Sequence, residues 1–275
     1  MIALLPGWRA RRRLLAALYV GVAAIFILAP LAVVMIVAFT SASFVSFPPP
    51  GYSLRWLAKV MGDAAFMRPL LNSVLLGLAA AAVAAVLAVP AAVAIGRRSV
   101  RWSAELEAFL LAPLSLPALI MALALLFFLA RFGLATSGWG LLIGHVVITL
   151  PYVLRTVLAV QRGLDASLVE AAHVLGATPA RAFLSVTLPL LRPGIVAGSL
   201  FAFLISFDEL AVALLLSSAT TATLPVAILN HVAHNYDPAV AAISLVKIVL
   251  VIVVLLTLER LYGLDRLMLS RVRRA

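Results

Sequence analysis

Long apolar stretches alternate with short polar stretches along almost the whole chain. About 20 consecutive, mostly apolar residues are enough for a helix to cross the hydrocarbon core of a membrane, and six stretches reach that length. The predicted spans are residues 14–39, 70–95, 109–130, a fourth that ends near residue 160, 195–216 and 239–258. The sequence therefore predicts an all-α integral membrane protein with six transmembrane helices.

Prolines within the predicted spans are expected to bend them without ending them. Pro30 should kink the first span, because proline lacks a backbone donor and clashes with the carbonyl four residues earlier. Pro113 and Pro117 fall near the inner end of the third span. Neighbouring helices can satisfy the carbonyls that these prolines leave unpaired, so prolines are tolerated within this span.

Two longer stretches between the spans, residues 40–69 and 217–238, are predicted external loops. The first contains an amphipathic run around Trp56 and Leu57. Because tryptophan favours the headgroup level of a membrane, we expect a short interfacial helix there. The second loop carries a polar patch at residues 230–237.

The stretch EAAHVLGATPARAFLSVTLP at residues 170–189 is the longest run of polar and small residues between the spans. Ser167 and Glu170 have the spacing of a capping box, which would start a helix. One face of that helix would carry Leu168, Ala171, Ala172 and Leu175. A helix of about two turns is not stable alone in water, so this small apolar face should dock on another surface.

A glycine break is predicted after this short helix. Gly176 stands where a left-handed helix stop favours glycine. Thr178 and Pro179 then fit the N-cap and first-turn positions of a second short helix. From spacing alone, an ordinary capped surface helix is the favoured interpretation.

Composition supports the membrane interpretation. The chain has 275 residues, of which 65% are hydrophobic and only 11% charged, whereas soluble domains contain about a quarter charged residues. The apolar run near the N-terminus is longer than the core of a secretory signal, and no clear cleavage site follows it. There is no cysteine, which excludes disulfides and thiolate metal sites.

The net charge of +11 does not indicate a nucleic-acid partner, because the arginines flank the apolar spans. In the six-span topology, sixteen Lys or Arg residues fall on one side and four on the other, with Lys247 inside a span. By the positive-inside rule, both termini and the 165–192 loop are predicted to be cytoplasmic.

The sequence contains no phosphate-binding loop of the G-x-x-x-x-G-K-[ST] type, and its only lysines are Lys59 and Lys247. If ATP powers this protein, a separate subunit must bind it. His231, His234 and Asp237 could approach a metal, but no H-E-x-x-H pattern or second carboxylate accompanies them. We therefore predict neither a metal site nor a catalytic residue in this chain.

Asp208 and Glu209 stand out because they lie inside a predicted span. An acid at mid-helix costs at least ~2.5 kcal/mol, and such residues usually face the protein interior or a water-filled path. They could pair with Lys247, which lies at a similar predicted depth, or they could ease the passage of a cation. Both interpretations remain open from the sequence.

The 170–189 stretch resembles the EAA loop of permease subunits in binding-protein-dependent ABC importers. The matching residues are Glu170, Ala171, Ala172, Gly176, Leu188 and Pro189. Val186 stands where the family usually has isoleucine. The resemblance implies that the loop, including Leu175, forms a cytoplasmic coupling helix in a cleft of the ATPase subunit, with His173 on its surface.

The resemblance also implies a type I ABC importer permease fold in the bacterial inner membrane. The expected partners are the lipid bilayer, two cytoplasmic ATPase subunits that bind ATP and Mg, a second and non-identical permease, and a periplasmic solute-binding protein. No cofactor is expected in this chain. We expect an N-terminal helix with the first periplasmic loop at 1–69, a core permease domain at 70–262 and a basic cytoplasmic tail at 263–275.

The SFDE run from Ser206 to Glu209, followed by TLP from Thr223 to Pro225, is similar to permeases of the spermidine/putrescine branch. The length and the Phe-Pro-rich first loop are similar to the second permease of those systems. This implies a polyamine substrate, although relatives that carry opines, thiamine or iron share much of the pattern.

Two functions of other classes are alternatives to transport. An intramembrane enzyme would need paired groups, but Asp208 and Glu209 would point about 100° apart on a helix. A channel-like structural protein would not need an EAA loop. The sequence therefore favours a permease.

Overall fold

The computed structural model describes residues 6–96 and 102–262. In chain order its α-helices are α1 (Pro6–Ala38), α2 (Arg55–Gly62), α3 (Ala64–Gly96), α4 (Ser103–Leu111), α5 (Ala118–Ala130), α6 (Gly138–Gln161), α7 (Ser167–Val174), α8 (Pro179–Ala182), α9 (Leu188–Asp208), α10 (Ala211–Leu216), α11 (Leu224–His234) and α12 (Ala239–Tyr262). The described residues contain no strand apart from an isolated bridge between Thr40 and Tyr52. The predicted tail at 263–275 and the arginines at 97, 98 and 101 lie outside the described residues.

Five helical segments are long and apolar enough to cross a membrane. They are Arg11–Ala38, Ala64–Gly96, Gly138–Gln161, Pro179–Asp208 and Ala239–Arg260. A sixth span is formed if the bent pair Ser103–Ser115 and Ala118–Ala130 is counted as one broken span. The prediction of an all-α, multi-pass membrane protein is confirmed.

The chain forms two compact units. Among the described residues, the first comprises 6–63 and 231–250, and the second comprises 64–96, 102–230 and 251–262. In the second unit, α3, α6 and α9 pack against one another. Gly198 of α9 lies so close to α6 that a Cβ atom there would meet the Cα atom of Val153 at 2.9 Å. Small residues allow this close approach, as in other membrane helix bundles.

The third span is broken near the two prolines at its predicted inner end. A 3-10 helix, Ala112–Ser115, follows α4, and α5 begins only after Pro117. The span is bent by 109° between its two parts. Because Pro117 cannot donate to the carbonyl four residues earlier and also disfavours helical geometry before it, the chain turns at this point.

The fifth span begins and ends earlier than predicted. A π-helical turn, Phe183–Thr187, joins α8 to α9, so the predicted second short helix is the beginning of this span. The wider turn leaves room before Pro189, whose ring would crowd a regular α-helix. At its other end α9 stops at Asp208, and α10 is a separate helix.

The predicted loop at 217–238 contains a helix, α11, whose first residues Leu224, Pro225 and Val226 are buried. Two residues of α3 hold the segment before it. The Ser73 hydroxyl accepts a hydrogen bond from the Leu224 amide at 2.8 Å, and the Asn72 side chain donates to the carbonyls of Thr220 and Ala222. These contacts are long-range, so the local pattern of polar residues did not reveal them.

The first unit contains the predicted short helix α2. Trp56 is buried, and its indole nitrogen donates to the Ala42 carbonyl at 3.0 Å. Arg55 and Lys59 lie over the Trp56 ring, 4.9 and 4.7 Å from its centre. The expectation of a short helix around Trp56 is confirmed.

Candidate functional site

The N-terminus of α7 is capped differently from the prediction. Ala166 occupies the cap position with helical geometry and makes no side-chain hydrogen bond. Instead, the Asp165 carboxylate accepts the Ser167 amide at 3.0 Å. Hydrogen bonds from the Ser167 backbone and side chain lower the pKa of Asp165 below its ordinary value. The predicted capping box between Ser167 and Glu170 is therefore wrong, because the carboxylate two residues upstream takes the amide.

The C-terminus of α7 is the predicted glycine stop. The Gly176 amide bonds to the His173 carbonyl at 2.9 Å, and the Ala177 amide bonds to the Ala172 carbonyl at 3.0 Å. This is the hydrogen-bond pattern of a Schellman motif. Gly176 has φ +85°, which is strained for any residue with a Cβ atom.

The α7 helix presents apolar side chains outward. Val174 and Leu175 are each 87% exposed, and Leu168 is also exposed. Glu170 and Ala171 are exposed and Ala172 is half-buried. The helical spacing predicts Leu175 on this surface but not Val174, because Val174 lies off the predicted apolar stripe.

The distal part of the EAA motif lies at the beginning of α9. Leu188 and Pro189 are the first two residues of that helix, and both are half-buried. Thr178 caps α8 by accepting the Arg181 amide at 3.4 Å. From Pro179 the helical segment continues for 30 residues to Asp208, which corresponds to about 45 Å at 1.5 Å per residue.

An open cavity of about 960 Å³ lies beside α7. Its walls come from the last turns of α3 and α6, from α4 and from the loop before α7, and they include Asp165 and Glu170. Glu107 of α4 and Arg162, which follows α6, form an ion pair at this wall. The 170–189 stretch thus adjoins this cavity in the second unit.

Asp208 and Glu209 lie at a helix break, which we call the acidic break. Asp208 is the last residue of α9 and is exposed, whereas Glu209 is extended and half-buried. The Glu209 carboxylate accepts the amides of Ala211 and Val212 at 2.9 and 3.2 Å. The assumption that both acids lie on one continuous helix is therefore wrong, and the depth estimate that used it no longer applies.

Lys247 lies in α12 within the first unit, and the acidic break lies in the second. The ion pair between Lys247 and the acids therefore stays a prediction.

The polar patch after α11 forms an ion-pair cluster. The two oxygens of Asp237 bond to His231 at 2.8 Å and to Lys59 at 2.9 Å. Burial raises the pKa of Asp237, but the hydrogen bonds and charges of His231 and Lys59 more than offset this, so that its pKa is below the ordinary value. The described residues show no group of three or more His, Asp or Glu side chains placed to hold a metal.

These features describe a polytopic helical membrane protein with a helical bundle, an exposed and glycine-stopped loop helix, and a long helix that joins this loop to an acidic break. The sequence model of the family described as "Binding-protein-dependent transport system inner membrane component" matches residues 88–262. The chain belongs to this family.

Named relatives are similar over most of the chain. The putrescine transport system permease protein PotI of Escherichia coli (strain K12) is 34% identical over 227 residues, which cover 80% of each chain. The spermidine/putrescine transport system permease protein PotC of Haemophilus influenzae is 30% identical over 200 residues, 73% of this chain and 78% of the relative.

A solved structure shares the fold. It is that of a bacterial ABC transporter involved in the import of the acidic polysaccharide alginate, and its matching chain gives a TM-score of 0.72. The match covers 95% of this chain and 100% of the other at 17% identity. The predicted fold of an ABC importer permease is confirmed.

Proposed function

We propose that this chain is the permease subunit of an ATP-driven importer that carries polyamines across the bacterial inner membrane. The observation that supports this most strongly is the 34% identity to a putrescine permease over 80% of both chains. The acidic break adds support from chemistry, because a polyamine is a multiple cation. The chain itself catalyses no reaction in this proposal.

The proposed complex contains two cytoplasmic ATPase subunits, which bind ATP and Mg, and a second, non-identical permease. A periplasmic binding protein delivers the substrate. Both termini and the 165–192 loop of this chain are assigned to the cytoplasm, and residues 70–262 form the core permease domain.

We assign α7 the role of coupling helix. Val174 and Leu175 provide an exposed apolar surface for the ATPase, and Glu170, Ala171 and Ala172 complete the helix. The Schellman motif at Gly176 fixes the angle at which the chain enters α8. The helix from Pro179 to Asp208, with Leu188 and Pro189 directly after its π turn, then connects this contact to the acidic break. Through this helix, a movement of α7 would shift the acidic break, which would support alternating access.

The two acids have different proposed roles. The amides of α10 already bind the Glu209 carboxylate, so Glu209 fixes the geometry of the break. Asp208, which is exposed at the end of α9, is the group that we expect to meet the cationic substrate. Pairing with Lys247 is the competing role, and substitution can distinguish the two.

Substrate class can be tested by uptake of labelled putrescine into cells that lack this gene and carry it on a plasmid. Restored uptake that unlabelled spermidine suppresses, and that thiamine or an opine leaves unchanged, is expected. Suppression by thiamine or an opine and not by spermidine would assign the other substrate and overturn the polyamine proposal.

The proposed orientation can be tested with single cysteines, because the native chain has none. Tyr236 is 85% exposed beyond α11, and Val174 is 87% exposed on α7. A membrane-impermeant thiol reagent should label Tyr236→Cys in intact spheroplasts and Val174→Cys only in inverted vesicles. The opposite labelling would reverse the topology.

A further inference from the structure

Two adjacent residues of α6 contact the two helices that flank the acidic break. The His145 Nδ1 atom lies 2.7 Å from the hydroxyl of Ser206, in the last turn of α9. Next to it, a Cβ atom on Gly144 would lie 2.8 Å from Val212 and 2.6 Å from Leu216, both of α10. At one position α6 therefore contacts the chain before and after the break.

The chemistry of His145 is unusual for a packing contact. The residue is wholly buried. Its Nε2 atom is also buried and has no hydrogen-bond partner among the described residues. Burying a polar nitrogen costs free energy that a leucine side chain of similar size would not cost. Stability alone therefore does not explain a histidine at this position, and the bond to Ser206 gives it a role.

The contact at Gly144 depends on side-chain packing and not on backbone conformation. Gly144 lies in a regular helix and has no positive φ, so an alanine there would meet no backbone strain. The added methyl group would instead overlap the side-chain ends of Val212 and Leu216. The absence of a side chain at 144 sets how closely α10 approaches α6.

We propose that Gly144 and His145 are positioning residues that hold the acidic break in the orientation that receives a cationic substrate. His145 fixes the turn two residues before Asp208 through Ser206. Gly144 sets the place of α10, whose first amides hold Glu209. A binding group must be held within about 0.5 Å of its productive geometry to work well. This inference rests on the proposed role of Asp208 in cation transport.

The Gly144 contact can be tested by compensation. In proteoliposomes that contain the purified transporter complex, Gly144→Ala should lower uptake per complex. The binding protein is loaded with substrate and present at a saturating concentration. Leu216→Ala removes the nearer of the two atoms that the new methyl group would meet, so the double variant should recover part of the uptake. Gly138→Ala is the matched control on the same helix, because a Cβ atom there meets only Thr221, at 3.9 Å. Equal losses for Gly144→Ala and Gly138→Ala would overturn the proposal for Gly144.

The His145 contact needs a measurement that a purely structural role would not change. His145→Leu should lower uptake per complex at least about fivefold and shift the ratio of spermidine to putrescine uptake, a shift that a loss of stability alone would not produce. His145→Asn keeps a polar atom near Ser206 and should recover uptake and ratio in part. A lower unfolding midpoint with an unchanged substrate ratio would show that His145 is only structural.

A double variant separates failure of this inference from failure of the proposed function. If His145 acts through the acid, His145→Leu combined with Asp208→Asn should be no worse than Asp208→Asn alone. No effect of Asp208→Asn on uptake would overturn the proposed role of the acid. A clear effect of Asp208→Asn with multiplied losses in the double variant would overturn only the role of His145.

Discussion

Replacing Gly176 by valine is expected to leave the permease in the membrane and to weaken its association with the ATPase subunit at least about tenfold. At φ +85° a Cβ atom strains the backbone, and a β-branched side chain strains it most. No atom within 4 Å would meet the Cβ atom of a substituent, so the effect comes from the backbone alone. The α7 stop would rearrange and move Val174 and Leu175 away from the docking surface. Pull-down of the ATPase from detergent-solubilised membranes measures the result.

A graded series at Gly176 provides the control. Asparagine tolerates the left-handed conformation better than alanine does, so association should fall in the order Gly, Asn, Ala, Val. Glu170→Arg adds an independent test, because this exposed residue can change charge without disturbing the fold. If the valine and arginine variants both bind the ATPase and transport normally, α7 is not the coupling helix.

Neutralising Asp208 is expected to reduce polyamine uptake about tenfold at a normal level of inserted protein. Each charge of a polyamine is costly to move into a low dielectric. The membrane potential contributes about 2.3 kcal/mol per charge per 100 mV, but it does not remove the local cost of desolvation. A carboxylate beside the path would lower that cost. Uptake and inserted protein should be measured together for Asp208→Asn, with Asp208→Glu as the variant that keeps the charge.

Lys247 separates the transport role from a structural ion pair. Lys247→Met should not rescue Asp208→Asn if the acid serves the cation. If the acids only neutralise Lys247, removing them leaves an unpaired charge, and the level of inserted protein should fall. Recovery of protein and uptake in the combined Asp208→Asn, Glu209→Gln, Lys247→Met variant would establish the structural role instead.

The geometry of the 170–189 stretch could be predicted from the sequence wherever neighbouring residues alone decide the backbone conformation. Gly176 ends α7 and Pro179 begins α8 because their backbone preferences act within one turn. The predicted capping box is wrong for an equally local reason, because the Asp165 carboxylate accepts the Ser167 amide in place of the Glu170 side chain. Local spacing alone did not reveal that competitor.

The breaks in the spans were harder to predict, because hydropathy along the chain does not show where a helix stops. Apolar residues resume in α10 after Asp208 and Glu209, and the extended backbone at Glu209 together with the bonds from the α10 amides shows that the helix stops there. Hydropathy also merged α4 with α5, although Pro117 was a visible signal. The contacts of Gly144 and His145 are tertiary, so no periodic pattern in the sequence predicts them.

Reconstitution of the complete transporter in proteoliposomes tests the central claim most directly. Labelled putrescine presented by the binding protein should accumulate only when ATP and Mg reach the ATPase subunits, and Gly176→Val should abolish this accumulation while leaving the permease inserted. Accumulation without ATP, or ATP-driven accumulation that Gly176→Val does not reduce, would contradict an importer permease coupled through α7.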